Sequence, residues 1–220
     1  ELSDAATTSF IIQKNLGTFG DGGAVVTNNA ELDARLRKLR NHGSDKRNVH
    51  SFGFNSRLDD LHAGVLSAKL KHIHAWNDRR IQLAARYTAG LQNAAAITLS
   101  FVKPGYRHVF HLYVIETKQP ALRDDLLNFL IDKGVDAKTH YSIAIHQQAG
   151  YPWGKPARVV GSVANAEANA ACCVSLPMYP ELTADEVDYV IAQVMAWDKA
   201  HAKTGARKSG GRCACSCAHH

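Results

Sequence analysis

The sequence predicts an α/β protein, because a helical hydrophobic period and a strand-like composition alternate along one chain. Between residues 58 and 73, leucine and other apolar residues recur three and four positions apart, as on one face of a helix. Residues 109–115 are instead rich in β-branched and aromatic side chains, as in a strand. Of the 220 residues, 45% are hydrophobic and 21% charged, which excludes collagen-like, disordered and coiled-coil classes.

The first predicted elements follow a glycine-rich loop at residues 17–23. The loop leads into residues 24–27, which read as a short strand. Asn28 and Glu31 then have capping-box spacing, which predicts a helix from Asn28 that Gly43 can close. The exposed face of this helix is basic, as expected of a solvated helix.

A long helix is predicted from Leu58 to Leu91, with a bend near Trp76. Since long helices commonly connect two lobes, we expect residues 1–78 to be part of one domain and residues 79–200 to form a compact α/β domain. In the second domain the pattern predicts, in order, a strand at 109–115, a helix at 122–130 that Gly134 ends, a strand at 135–141, a small-residue helix at 163–173, and a final helix that begins at Thr183 and Glu186.

The net charge of +6 comes mainly from the last twenty residues. Residues 201–220 carry four Lys or Arg and no acid, so residues 1–200 hold 22 basic against 20 acidic groups, or +2. We therefore expect no nucleic-acid partner, and we interpret 201–220 as a disordered basic tail. No stretch approaches 18 uninterrupted apolar residues, so we expect no membrane span.

The cysteines also separate into two groups. Cys172 and Cys173 lie in an apolar segment, and the other three crowd the tail. An odd total of five with none in the first 171 residues is not typical of a secreted disulfide framework, so we expect a cytoplasmic protein. We expect no metal site from His140 and His146 with Cys172 or Cys173, because nothing in the spacing fixes their approach.

The segment with the most chemical information is Lys14 with the glycines that follow it. A lysine, a nearby Ser9 and a glycine loop suit a phosphorylated ligand, since glycine permits close approach and hydroxyl and backbone N–H groups donate to phosphate oxygens. The order excludes a P-loop and a dinucleotide-binding loop, because the lysine precedes the glycines and no G-x-G-x-x-G follows a strand. Composition alone leaves open that Lys14 is a surface lysine before a turn.

Six ordered motifs resemble the DegT/DnrJ/StrS family of sugar aminotransferases. Ser9-Phe10 with Lys14 and the glycine loop is similar to the family's cofactor-lysine signature. Residues 39–43 read Leu-Arg-Asn-His-Gly, and residues 53–61 read Gly-Phe-Asn-Ser-Arg-Leu-Asp-Asp-Leu, both as in that family. The other matches are residues 111–114, residues 140–148, and residues 175–183.

The resemblance implies a fold type I enzyme, of the aspartate-aminotransferase fold, that uses pyridoxal 5′-phosphate (PLP). It implies that Lys14 forms the Schiff base with PLP and that Ser9 donates to the cofactor phosphate. Asn55 would reach that phosphate from the neighbouring subunit of a homodimer with shared active sites. His146 and Tyr141 would line the substrate pocket. The implied reaction moves an amino group from glutamate or glutamine to a nucleotide-linked keto-sugar.

The chain departs from the family pattern at three places. Residues 11–13 read Ile-Ile-Gln where an aromatic residue and a proline are usual, residues 140–146 lack both usual prolines, and residues 62–64 read His-Ala-Gly in place of Gln-Ala-Ala. The family's upstream half, with its phosphate turn, ring-stacking aromatic and pyridinium-pairing Asp, has no counterpart here. We therefore expect these 220 residues to be inactive unless they belong to a longer protein.

One alternative stays open at this point. The chain could be a non-catalytic relative that serves as a dimerisation or regulatory module, a hypothesis that the absent upstream half favours. A pyridoxal-dependent dehydratase of the neighbouring branch would carry His in place of Lys14, so Lys14 argues against that branch.

Overall fold

The computed structural model describes residues 3–46, 48–151 and 158–202, and the chain divides into two compact units. Unit 1 comprises residues 1–77 and unit 2 comprises residues 78–220. Both units combine strands with helices, so the predicted α/β class is confirmed. The tail predicted at 201–220 lies outside the described residues from position 203 onward.

Unit 1 begins with a two-stranded antiparallel hairpin. Strand β1 (Ala5–Ser9) pairs with strand β2 (Gly23–Thr27), and Ser9 lies opposite Gly23. The helices that follow are α1 (Ala30–Leu39), α2 (Asp60–Leu70) and the first turn of α3 (Ile73–Leu91), which ends in unit 2.

The strand expected at residues 24–27 is confirmed, but two helix ends differ from the prediction. The N-cap of α1 is Asn29, whose side-chain oxygen accepts a hydrogen bond from the backbone N–H of Leu32 at 3.0 Å; Asn28 precedes the cap. The long helix is interrupted at residues 71–72, between α2 and α3, and not near Trp76. The hydrophobic period continues through this interruption, which is why it predicted one helix.

Unit 2 contains a three-stranded antiparallel sheet in the order β3-β4-β5. Its strands are β3 (Ile97–Leu99), β4 (Tyr113–Thr117) and β5 (Cys173–Leu176). Its helices besides α3 are α4 (Arg123–Asp132), α5 (Ala164–Cys172) and α6 (Ala184–His201). Buried side chains from the sheet and the helices form one core that includes Tyr87, Ile115, Leu130, Val194 and Trp197.

The three predicted helices of this unit are confirmed. The capping box at α6 is present, because Glu186 donates its backbone N–H to the Thr183 hydroxyl oxygen at 3.2 Å and accepts the Thr183 N–H at 2.8 Å. The predicted strand at 109–115 starts only at Tyr113, since Phe110 has a positive φ of 44°. Residues 135–141 form no regular strand; Lys138 makes a single bridge to Ser175.

Within the described residues, each helix is too short or too polar for a membrane span.

Candidate active site

Lys14 lies in the loop that connects β1 and β2. Phe10 donates its N–H to the Gly22 carbonyl at 2.7 Å, which extends the hairpin one pair beyond Ser9 and Gly23. Lys14 donates its N–H to the Ile11 carbonyl at 2.8 Å and so closes a tight turn. The Lys14 side chain is half-buried, whereas Ile12 inside the turn is 54% exposed.

Three polar contacts hold the part of the loop that follows Lys14. The Asn15 side-chain amide donates to the Asn77 side-chain oxygen at 2.9 Å. The Lys69 ammonium donates to the carbonyl of Gly17 at 2.6 Å, and the buried Thr18 hydroxyl donates to the carbonyl of His62 at 3.3 Å. All three partners belong to α2 or to the first turns of α3.

The loop glycines allow close packing against the protein itself. A Cβ on Gly17 would overlap the carbonyl oxygen of Ile12. A Cβ on Gly22 would lie 3.2 Å from the Leu58 side chain and 3.3 Å from that of Phe10. These two glycines therefore serve the folding of the loop, which is a different role from the close ligand approach that the glycine pattern first indicates.

Ser9 ends β1 and is exposed on the same loop. Its Oγ accepts a hydrogen bond from the N–H of Ile11 at 3.3 Å, which leaves the hydroxyl hydrogen able to donate elsewhere. Ser9 is the last residue of β1, and Lys14 lies in the 13-residue connection from β1 to β2. The predicted hydroxyl and the predicted amine therefore belong to the same loop region.

Two motif segments, residues 39–43 and 53–57, lie in close backbone contact, which we call the crossing. His42 donates its N–H to the Phe54 carbonyl at 2.8 Å, and Asn41 and Asn55 form an antiparallel bridge. A Cβ on Gly53 would overlap the backbone nitrogen of Gly43. Two motifs separated in the sequence are therefore one local structure, and Asn55 is exposed on it.

His146 and Tyr141 belong to unit 2. His146 lies in a short 3₁₀ helix, Ile145–Gln147, and its Nε2 is 2.8 Å from a carboxylate oxygen of Glu167 on α5. Tyr141 is 70% exposed, and its backbone carbonyl accepts a bond from the Cys173 thiol at 3.8 Å. Burial raises the pKa of the Cys173 thiol, which disfavours the thiolate.

Cys172 and Cys173 are both buried, as the apolar segment around them indicates. His140 shares a hydrogen bond of 2.9 Å with the hydroxyl of Ser175. Across the part of the chain that the structure describes, His, Cys, Asp and Glu side chains form no group of three suited to a metal ion.

Three residues of these contacts, Lys69, Asn77 and Glu167, are not predicted from the sequence. Lys69 and Asn77 follow Lys14 by 55 and 63 positions, so no local pattern connects them with its loop. Two of the loop contacts are accepted by backbone carbonyls, those of Gly17 and His62, so no side-chain pattern marks them in the sequence.

Comparison with known proteins finds relatives in the family that the sequence motifs resemble. Residues 1–195 match the model of the DegT/DnrJ/EryC1/StrS aminotransferase family. A dTDP-3-amino-3,4,6-trideoxy-alpha-D-glucose transaminase of Streptomyces venezuelae is 42% identical over 196 residues, which is 89% of this chain and 50% of that protein. The crystal structure of S. venezuelae DesV in complex with a ketimine intermediate has a TM-score of 0.80 and 41% identity, covering 89% of this chain and 52% of that one.

Two further relatives bear on cofactor and function. NtdA of Bacillus subtilis, solved with its bound cofactor PMP, has a TM-score of 0.78 and 31% identity over 90% of this chain and 46% of its own. A Geobacillus stearothermophilus protein named pleiotropic regulatory protein is 38% identical over 88% of this chain and 52% of its own.

The chain spans about half the length of the curated relatives that it matches. The family match covers nearly all of the described residues, and it includes the Lys14 loop and the crossing at Asn41 and Asn55. The chain therefore belongs to the DegT/DnrJ/EryC1/StrS aminotransferase family, whose enzymes depend on pyridoxal 5′-phosphate.

Proposed function

We propose that this chain carries the cofactor lysine, Lys14, and the small domain, residues 79–200, of an aminotransferase. The proposed enzyme transfers an amino group from glutamate or glutamine to a nucleotide-linked keto-sugar. The observation that carries this proposal is the Lys14 loop, which combines the family signature with a tight turn and three polar anchors. A reaction of this type fits a relative named as a sugar-nucleotide transaminase. We also propose that residues 1–78 are the C-terminal part of a large cofactor-binding domain, as the family resemblance implies.

The residues present suit PLP as a ligand. The cofactor needs an amine for its aldehyde and donors for its phosphate, and Lys14 and Ser9 provide an amine and a hydroxyl on one accessible loop. When bound, PLP supplies a reactive carbonyl and an electron-withdrawing ring. Lys14 would hold it covalently and Ser9 would donate to its phosphate.

Lys14 has a second task in the proposed reaction. When Lys14 is not bonded to the cofactor, its amine would be the base that takes a proton from the substrate carbon bearing the amino group. A base that moves a proton must be held in register with that carbon, because misplacement by about 1 Å can cost on the order of 100-fold in rate. The turn between Ile11 and Lys14 and the anchors beyond it supply this restraint.

The remaining family positions complete the proposal. Asn55 is exposed on the crossing of residues 41–57, as a residue that serves a partner's site must be, so we propose a homodimer with shared active sites. His146 and Tyr141 would contact the sugar nucleotide. An odd number of cysteines, with none in the first 171 residues, is not typical of a secreted disulfide framework, so we propose that the protein acts in the cytoplasm.

Borohydride trapping tests the lysine assignment directly. The full-length protein, incubated with PLP and reduced, should carry the reduced cofactor on the peptide containing Lys14. The matched control is Lys71→Ala, which removes an exposed lysine at the end of α2 and should leave the trapping unchanged. A Lys14→Ala variant that is still modified to the wild-type extent would refute the assignment.

The amino donor is tested by following the cofactor absorbance with glutamate or glutamine alone. We expect one of the two to convert the bound cofactor to its aminated form within the turnover time. The result identifies the donor independently of the sugar acceptor.

A second candidate is a regulatory or dimerisation module without catalysis. The observation in its favour is the relative named pleiotropic regulatory protein, which matches 88% of this chain. This candidate predicts no visible cofactor absorbance even at saturating PLP, with dimer formation retained in sedimentation experiments.

A further inference from the structure

We propose that Lys69 is a positioning residue for Lys14, a role that rests on the proposed function of Lys14. Lys69 donates from its ammonium to the Gly17 carbonyl at 2.6 Å, across 52 positions of sequence. A hydrogen bond from an ionised donor is shorter and stronger than a neutral one, and this one is partly buried. Lys69 is therefore the charged anchor of the loop.

The position of Lys69 on α2 explains why a long side chain is needed there. His62 and Lys69 are seven residues apart, so they share a face and lie about 10 Å apart along the helix axis at 1.5 Å per residue. Their partners, Thr18 and Gly17, are adjacent in the loop. The four-carbon stem of lysine can span the difference by lying back toward the N-terminus of α2, as long helical side chains do.

A chain of close contacts leads from Lys69 to Lys14. Lys69 fixes the Gly17 carbonyl, and Gly17 packs so tightly on the carbonyls of Ile11 and Ile12 that a Cβ would overlap that of Ile12. The Ile11 carbonyl is the acceptor for the N–H of Lys14. A shift of Gly17 would therefore move the group that orients the Lys14 backbone.

Asn77 and the His62 carbonyl hold the residues on either side of Gly17. Asn15 bonds to Asn77 and Thr18 to His62, so the loop runs antiparallel to α2 and the start of α3 with Lys69 as the middle contact. The outer contacts hold the loop on the helices. Of these three anchors, Lys69 is the one whose partner, Gly17, packs on the turn of Lys14.

The test compares Lys69→Met with Lys69→Arg and Lys71→Met in the full-length protein. Methionine keeps the aliphatic stem but removes the donor, arginine restores a charged donor, and Lys71→Met removes an exposed charge two residues away. If Lys69→Met does not fold, Lys69→Gln replaces it under the same criteria. Three quantities are measured: kcat and KM for the nucleotide sugar, amide exchange at Lys14 and Thr18, and borohydride trapping on Lys14.

For Lys69→Met we expect kcat to fall on the order of 10- to 100-fold while KM stays within about twofold, since positioning of the base is lost and substrate binding is not. Amide exchange at Lys14 and Thr18 should accelerate about tenfold through local opening. Lys69→Arg should recover most of kcat, and Lys71→Met should match the wild type.

Equal kcat in wild type and Lys69→Met, with unchanged exchange at Lys14, would overturn the inference and leave the proposed function intact. Failure of wild-type trapping on Lys14 would overturn the proposed function itself. A fall in kcat that Lys71→Met reproduces would also refute a specific role for Lys69.

Discussion

Unit 1 and unit 2 contain the same kinds of elements but bury very different amounts of apolar surface. In the described part of unit 2, twenty apolar residues form one buried core. Among the described residues of unit 1, Leu66 is the one buried apolar side chain. The large apolar side chains that unit 1 exposes by 45% or more are Ile12, Phe19, Val25, Val26, Val49, Phe52, Phe54, Leu61 and Leu70.

The difference separates two ways of holding a shape. Unit 2 is stabilised by its own hydrophobic core, which supplies most of the folding free energy of a small domain. Unit 1 is held by backbone crossings and polar anchors, and its apolar surface is typical of a face that another polypeptide segment covers. The residues proposed to bind the cofactor therefore lie on the unit that depends more on its surroundings.

Expressing the two units separately is the most direct test of this difference in stability. Residues 73–202, which retain all of α3, should unfold in one cooperative urea transition because the core is complete within them. Residues 1–72 should show no cooperative transition, since Leu66 is the one buried apolar side chain among their described residues. Circular dichroism at increasing urea measures both, and a sharp transition of 1–72 alone would contradict the proposed dependence.

A core substitution in unit 2 should have the next largest effect. Leu130→Ala empties a fully buried position on α4 and should lower the free energy of unfolding by about 2–5 kcal/mol. The matched control is the adjacent Ile131, which is 51% exposed, and Ile131→Ala should change it by less than about 0.5 kcal/mol. Equal losses for the two variants would show that α4 is not packed on this core.

A glycine substitution tests the crossing in unit 1. Gly53→Ala places a Cβ onto the backbone nitrogen of Gly43, so the crossing must open, at a cost of about 1–3 kcal/mol. Gly64 on α2 has open space around its added Cβ, so Gly64→Ala should stabilise by about 0.5–1 kcal/mol through helix propensity. Hydrogen exchange in residues 41–57 measures the first effect, and the thermal midpoint measures the second. A Gly53→Ala variant with native exchange would refute the crossing.

The smallest expected effect is the pH dependence of the α6 cap in unit 2. Hydrogen bonds from the N–H and hydroxyl of Thr183 lower the pKa of Glu186 below its ordinary value of 4.5. A carboxylate with a lowered pKa adds stability above its ordinary pKa, and this is lost as the pH falls through its lowered value. Glu186→Gln should therefore be less stable than wild type at pH 7, and the difference should shrink at about pH 3.

Thermal midpoints at the two pH values measure the Glu186 effect. Asp132→Asn removes an exposed carboxylate at the end of α4 and serves as the control. A difference between wild type and Glu186→Gln that grows toward low pH would contradict the assignment.

Sequence predicts best where the determining contacts are local. Thr183 and Glu186 are three positions apart, so the start of α6 follows from the chain itself. The helix that Gly134 ends is also local, since Gly134 adopts a positive φ of 76° after α4. Residues 135–141 have strand alternation but no neighbour to complete a ladder beyond Lys138, and this could not be read from their own pattern.

The candidate site was only partly predictable for the same reason. Lys14 is recognised only through the family motif. Its local pattern, a lysine followed by glycines, is equally compatible with an ordinary surface turn. Lys69 and Asn77 become visible only when α2 and α3 bring them to the loop. Strand β5 was also missed, since its four buried residues directly continue a helix of small residues.

The crossing of Gly43 and Gly53 has a consequence for how this family region evolves and can be exchanged. Two backbones meet there with no room for a side chain. Each segment therefore constrains the backbone path of the other more than it constrains the choice of side chains there. The residues between them should therefore be inherited together. For chimeras with a relative, residues 39–57 should be transplanted as one block, because grafting either motif alone would pair backbones that were shaped for different partners.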